Sequence, residues 1–559
     1  MLSSLLRHRS ARAAVIALVV CAILLPLSTF LVYAPIKDKS DIGIAGAMKA
    51  ITVIVVFVIV YYLLHAIERL KAGDPVYRRW LRVSLVCLAV NAVILLLIWP
   101  GFWTGASYGI LRGVEANQLP TWQSPLTTIY FAVVVNLIPT GVAIPIVQAV
   151  VASLAVGYVV ARTADLLAKP RWAYLLVIPF CFIPVVLQNF YPMRISVYAY
   201  IEVLVLFRFV LLWLRPEVMR SRPREFAILS VFIALLAFWR SEGVYYLVAI
   251  PVLALVLFRP WRKAYRDRRV MAGALAAIAG VAIVYGVSAI KADQSYQVVS
   301  TTLNPLSVML QGDLKGDNLT EDLAVMDEFF DLDVVRKYPD ADGIPAHDKG
   351  AERDDAREHI SEYNRAFLDL VLNNPQAFFD ARMQTFEDTN FGTGKIPHIN
   401  RADEYLGTAT DGALGSIEWF RSNNALAQPW NADLRNSVVL GTMMVDPESA
   451  SVTPFGVMVW NVIPALVVAM AGLVIAAFRR SWLFAVLFAS TLLRAALVFA
   501  TAPANYSMYY LSTYLNAWFL AALGIVLIVG RYRRGTSPGD EPVTIGTRTA
   551  EPHSVHEPS

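Results

Sequence analysis

Charged side chains are scarce in the apolar parts of this chain, so each one there marks a place where chemistry can occur. Glu115 and Glu202 are carboxylates, and Glu202 stands in an apolar run with no charged partner near it in sequence. Arg194 opens that run, Arg240 and Glu242 share one turn, and Arg494 is the lone charge of another run. Tyr506 and Tyr509 follow Asn505, while Ser107, Tyr108, Gln123 and Ser124 put hydroxyl and amide groups in an earlier polar loop. Gathered in one pocket, these types can move a group from a phosphate to a hydroxyl. A carboxylate takes the hydroxyl proton, and guanidiniums stabilise the charge that builds on the departing phosphate. A charge inside a membrane span costs a few kcal/mol, which makes Glu202 and Arg494 functional candidates by default.

Each group also has a plainer role open to it. Tyr and Trp form belts at membrane interfaces with no catalysis. Arg194 can bind lipid head groups, and Arg240 and Glu242 can pair across their turn. Arg494 can pair with Glu202 or Glu242 simply to cancel charge.

The elements that must position these residues are membrane helices. The chain has 559 residues, is 57% hydrophobic and has a mean hydropathy of +0.53, more apolar surface than a soluble core of that length can hide. Its repeated apolar runs are long enough to cross a bilayer, and helices satisfy the backbone there. The reading is an all-α polytopic membrane protein of about twelve transmembrane helices, at roughly 13–34, 47–68, 83–100, 141–162, 172–189, 197–214, 226–239, 243–258, 270–290, 456–477, 482–501 and 511–530. The first run ends without a convincing cleavage site and reads as a retained anchor. The spans 226–239 and 243–258 are the shortest, and could instead form one broken pair. Basic loops place both termini in the cytoplasm. Under that rule the apolar stretch 124–140 lies at, or dips into, the outer surface instead of crossing.

Residues 1–290 thus form the first transmembrane part, 456–534 the last three helices, and 535–559 a disordered cytoplasmic tail. Between them, 291–455 is an extracytoplasmic insert of mainly α structure. It holds 28 acidic and 13 basic residues, a net charge of −15 in a chain of net +5. Two amphipathic helices are expected in it, at 354–369 and 375–386, with Tyr363, Phe367, Leu370 and Val371 on one apolar stripe and Phe378, Phe379, Met383 and Phe386 on the other. Asn374-Pro375 is the break between them. Cys21, Cys87 and Cys181 all lie in apolar runs, and no Cys/His spacing reads as a zinc site. The acidic insert leaves a divalent cation open as a cofactor, although no spacing matches a calcium loop. Nothing supports nucleic-acid binding; membrane lipids are an expected partner.

Four pieces of this sequence resemble the GT-C-type integral membrane glycosyltransferases of bacteria. Trp99-Pro100-Gly101 with Ser107 is similar to the opening of their first outer loop, roughly Pro-Gly-x-x-x-x-Asp-Ser. Gln123-Ser124-Pro125-Leu126 is similar to a His-Pro-Pro/Val-Leu segment, and Arg240-Ser241-Glu242-Gly243 to an Arg-x-x-Gly turn. Tyr363 to Leu370 followed by Asn374-Pro375-x-x-Phe378 resembles a Tyr…Leu…Pro-x-x-Tyr pattern. The likeness covers about residues 83–515. It implies a GT-C fold in the bacterial cytoplasmic membrane. It also implies a polyprenyl-phosphate or polyprenyl-diphosphate sugar donor, and a glycan or glycolipid acceptor on the outer face, in cell-wall biogenesis.

By that resemblance position 106 carries the catalytic base, but this chain has Ala106, and Gln123 or Ser124 where the family has His. Three accounts of Ala106 stand side by side: an Asp-to-Ala exchange that impairs turnover, a base supplied instead by Glu115 or Glu202, or binding retained without catalysis. The donor phosphate falls to Arg194, Arg240, Arg494 and Tyr506, and the substrates to Ser107, Tyr108, Gln123, Ser124, Glu242 and Tyr509. The rivals to an enzyme are a transporter or flippase for lipid-linked sugars and a non-catalytic scaffold. Transporters show internal repeats, and this sequence has no duplicated halves.

Overall fold

The computed structural model describes residues 8–36, 39–119, 124–215, 224–246, 296–339, 360–391, 426–444 and 453–530, with isolated residues elsewhere. Among these the protein is all-helical, with one isolated β-bridge between Leu167 and Tyr532. Eight of the described helices are long and apolar enough to cross a membrane, which makes this a multi-pass integral membrane protein.

Helices α1 (Arg9–Leu31) and α2 (Lys39–Lys71) form a hairpin closed at one end by Arg9 and Arg12 on Glu68. α3 (Pro75–Leu97) starts where Asp74 accepts from the Val76 and Tyr77 amides at 2.8 and 3.4 Å, with Pro75 in the first turn, a sequence-coded helix start. α4 (Gly105–Glu115) and α5 (Pro125–Leu137) are short. Asn136, near the end of α5, accepts from Ser28 at 2.9 Å and donates to Thr52 at 3.0 Å, and Ser28 is one turn from the end of α1. The start of α5 is tied to Phe238 through Ser124. Both ends of α5 therefore sit near one end of the bundle, and the helix runs along it.

α6 (Ala143–Leu166) packs on α3 so closely that a Cβ on Gly157 would meet the Ser84 hydroxyl at 2.1 Å and the Trp80 carbonyl at 2.8 Å. The expected helix at 172–189 is instead a 3₁₀ helix, Pro170–Cys181, followed by α7 (Ile183–Gln188). Pro179 has no N–H to donate, and Pro184 restarts the chain as the first turn of α7. At about 2.0 Å per residue for 3₁₀ and 1.5 Å for α, the two pieces together still reach about 33 Å, a bilayer core. α8 (Arg194–Leu214) and α9 (Arg224–Trp239) complete the first part, and most of the expected spans 243–258 and 270–290 lies outside the described residues.

The insert holds α10 (Tyr296–Met309), α11 (Leu319–Asp327), α12 (Leu332–Lys337), α13 (Ile360–Asn373), α14 (Pro375–Phe391) and α15 (Ala432–Met443). α13 and α14 break at Asn374, as expected. Tyr363, Ala366 and Leu370 are buried among Leu306, Met326 and Phe329 in a small core. The stripe expected on α14 divides. Phe378 faces that core, while Phe379 and Phe386 pack on Phe499. Arg382 between them donates to the carbonyls of Phe499 (2.7 Å) and Ala502 (2.8 Å) and to Asn304 (2.7 Å).

Those carbonyls lie at the C-terminal end of α18. The last helices are α16 (Pro454–Trp460), α17 (Ile463–Phe478), α18 (Trp482–Thr501) and α19 (Leu511–Val529). The insert therefore sits at one end of the bundle, and Arg9, Arg12, Arg215 and Arg479-Arg480 gather at the other.

Candidate functional site

The loop after α3 is built by its glycine. Gly101 has φ +100°, and a Cβ there would meet the Phe190 carbonyl at 2.6 Å. That contact lets the Phe102 amide bond Phe190 at 2.9 Å, so the Pro100-Gly101 loop is stitched to the segment that leads into α8. Thr104 then meets the Tyr191 hydroxyl at 3.2 Å and Ser107 at 3.4 Å, and Trp103 stacks on Tyr108 with centroids 5.5 Å apart. Ala106, half-buried, packs against the bundle core.

Most of the charges picked out in the sequence meet at this end. Arg240 forms a two-point pair with Glu242, its Nη2 2.6 Å from the carboxylate, and both side chains are under 10% exposed. Arg494 lies 3.0 Å from Glu202. Tyr198 joins the two pairs, with Arg494 4.9 Å and Arg240 5.7 Å from its ring centre. The Tyr509 ring centre also lies 5.8 Å from the Arg240 guanidinium, and Tyr506 stacks on Tyr509. Arg194 donates to Thr127 at 3.2 Å and lies within electrostatic reach of Arg240, Glu242, Tyr198 and Tyr509. Ser124 bonds the Phe238 carbonyl two residues before Arg240. Gln123 lies outside the described residues.

Glu115 is not brought into this cluster. It ends α4, about 14 Å along the helix from Ala106 at 1.5 Å per residue, and its carbonyl accepts from the Ala34 amide beside the α1–α2 hairpin. Burial pushes its carboxyl up to about 7, against the pull of Arg112. Burial would push Glu242 up as well, but the Arg240 guanidinium outweighs it and holds that carboxyl at about 2. Both carboxylates of the cluster are thus engaged by guanidiniums, and the plainer pairings open to Arg240 and Arg494 are formed.

Sequence reasoning missed three members. Tyr246 donates to Glu202, and Thr127 accepts from both Arg194 and the Trp239 indole at 3.2 Å. The signal for Tyr246 was its position just after Arg240-Ser241-Glu242-Gly243. Nothing local marks Thr127. Among the described residues the cluster sets three guanidiniums against two carboxylates in an apolar surround, an arrangement suited to an anion. Pro184, Gln188, Trp460, Tyr510 and Tyr514 line a small, partly open hollow with room for little more than a water. Among the described residues no group of three His, Cys, Asp or Glu could hold a metal ion. No protein-family model, no curated protein and no solved structure matches this chain.

Proposed function

We propose that this protein is a membrane glycosyltransferase of GT-C type. It moves a sugar from a polyprenyl-(di)phosphate donor to a hydroxyl of a cell-envelope glycan or glycolipid at the outer face of the bacterial cytoplasmic membrane. The observation that carries this reading is the meeting of Arg194, Arg240, Arg494, Tyr506 and Tyr509 beside the Pro100-Gly101 loop, from segments as far apart as Arg194 and Tyr509. The positive surplus suits a lipid-linked phosphate, and the basic residues at the opposite end support a cytoplasmic placement for that end. In this reading Arg194 and Arg240 hold the donor phosphate, and Ser107, Tyr108 and Ser124 belong to the acceptor side. Glu242 aligns Arg240, and Arg494 with Glu202 braces the floor.

Deprotonating the acceptor needs a carboxylate near position 106. The resemblance puts the base at position 106, and among the described residues the engaged state of Glu202 and Glu242 and the place of Glu115 support that reading. Ala106 then makes this form slow. The test is sugar transfer by purified protein in liposomes, with a panel of prenyl-phosphate sugars, comparing the chain as it stands with Ala106→Asp. The expected outcome is a rise of about 10²–10⁴-fold with the acid in place. Transfer by neither form from any donor, with transbilayer movement of the same lipids by both, would establish the carrier instead.

A further inference from the structure

The segment from Leu426 through α15 lies across the ends of two membrane helices. The Trp99 indole, two residues past α3, donates to the Leu426 carbonyl at 2.6 Å, and its ring lies 6.0 Å from that of Trp430. Arg435 donates to the Gly101 carbonyl at 3.1 Å. At the far side the Met444 carbonyl accepts from the Thr453 amide at 2.8 Å, one residue before the candidate span Pro454–Phe478. The strap is thus tied to the margins of two apolar helices whose outer faces, among them Val93 and Val467, are open to lipid.

Its own pattern is turned inside out for a water-facing element. Arg435 and Val439 point inward, whereas Trp430 is 70% exposed, Leu426 54% and Leu434 48%. Phe455 and Met458 on α16 extend the same exposed apolar character into the span. Asn431, Asp433 and Ser437 are also exposed, so the strap cannot be submerged. An element that exposes an aromatic and leucines next to a carboxylate suits the headgroup boundary, where apolar and polar groups are both satisfied. We propose that residues 426–443 form an interfacial strap whose partner is the bilayer itself, with Trp430 and Leu434 inserted at the acyl-chain margin and Asp433 kept in water. This assignment does not depend on the transferase reading.

The test is nitroxide labelling of single-cysteine variants in phosphatidylglycerol–phosphatidylethanolamine liposomes, after exchange of Cys21, Cys87 and Cys181 to Ala. Labels go on Trp430→Cys, Leu434→Cys and Asp433→Cys, with Val467→Cys as the lipid-facing standard and Arg365→Cys, an exposed position of the insert, as the aqueous one. Collisions with oxygen should exceed those with a water-soluble nickel chelate at 430 and 434, as at 467, and the order should reverse at 433, as at 365. Chelate-dominated relaxation at 430 and 434 overturns the proposal. So does exclusion of both probes there, which would mean a protein partner or second copy covers the strap.

Discussion

The Arg494 guanidinium stands 3.0 Å from the Glu202 carboxylate, and neither side chain is more than 2% exposed. Glu202 also accepts from Tyr246, and Arg494 lies over the Tyr198 ring. Two helices, α8 and α18, are therefore joined by charge where water cannot reach. Breaking such a pair strands a buried ion, at about 3–5 kcal/mol. Glu202→Ala should accordingly lower the unfolding temperature in detergent sharply. The double exchange Glu202→Leu with Arg494→Met should lose less than either Glu202→Ala or Arg494→Ala. A double loss equal to the sum of the two would mean the groups are not coupled.

Arg382 carries the junction between insert and bundle. Its guanidinium closes carbonyls at the end of α18 that no helical amide reaches, and it meets Asn304 on α10. Hydrogen bonds from a charged donor contribute about 1.5–3 kcal/mol each, and positive charge suits a helix C-terminus. Arg382→Ala should therefore quicken limited proteolysis of the insert several-fold in the intact protein. Arg382→Lys should recover only part of the loss, because one ammonium cannot span three acceptors. An unchanged digestion rate in both variants would remove Arg382 from that role.

Glu115 makes stability depend on pH. Its carboxyl is raised from an ordinary 4.5 to about 7 by burial, so the folded chain keeps a proton that the unfolded chain gives up. The associated stability is fully present below about 4.5 and is lost as pH rises through about 7. Unfolding temperatures measured from pH 5 to 8 should fall across that window, and Glu115→Gln should flatten this part of the profile. A profile that keeps its slope in Glu115→Gln would assign the proton elsewhere.

Gly157 permits the closest approach between α3 and α6. Gly157→Ala places a methyl on the Ser84 hydroxyl and the Trp80 carbonyl. Overpacking of this kind costs about 1–3 kcal/mol. Ser84→Gly in the same chain should restore only part of the lost unfolding temperature, since the carbonyl contact at 2.8 Å is backbone and remains. Full recovery would show that the side chain alone set the spacing.

Much of the architecture was legible residue by residue. The run 482–501 is α18 to the residue, 511–530 is α19 within one, and Asn374-Pro375 divides α13 from α14. The caps at Asp74, Asn431 and Thr453 are local too, but hydropathy did not pick out the helix starts they make. The 3₁₀ stretch Pro170–Cys181 was not legible, because hydropathy reports apolar length and is silent on how the backbone bonds are arranged. The joining of Arg194, Arg240 and Tyr509 was an expectation from loop order, while the separation of Glu115 depended on which way α4 runs.

Sequence alone determined that this chain folds in a membrane, where several of its long helices run and which stretch of it is acidic. Those are consequences of local apolar length, capping and charge, each readable within a few turns. Tertiary structure alone decided that Arg494 faces Glu202, that Arg240 keeps Glu242, and that Arg382 clamps α18. Residues far apart along the chain meet only when helices pack. A buried charge then takes the partner that packing brings within about 3 Å, because in an apolar interior leaving it alone costs more than any local preference can supply.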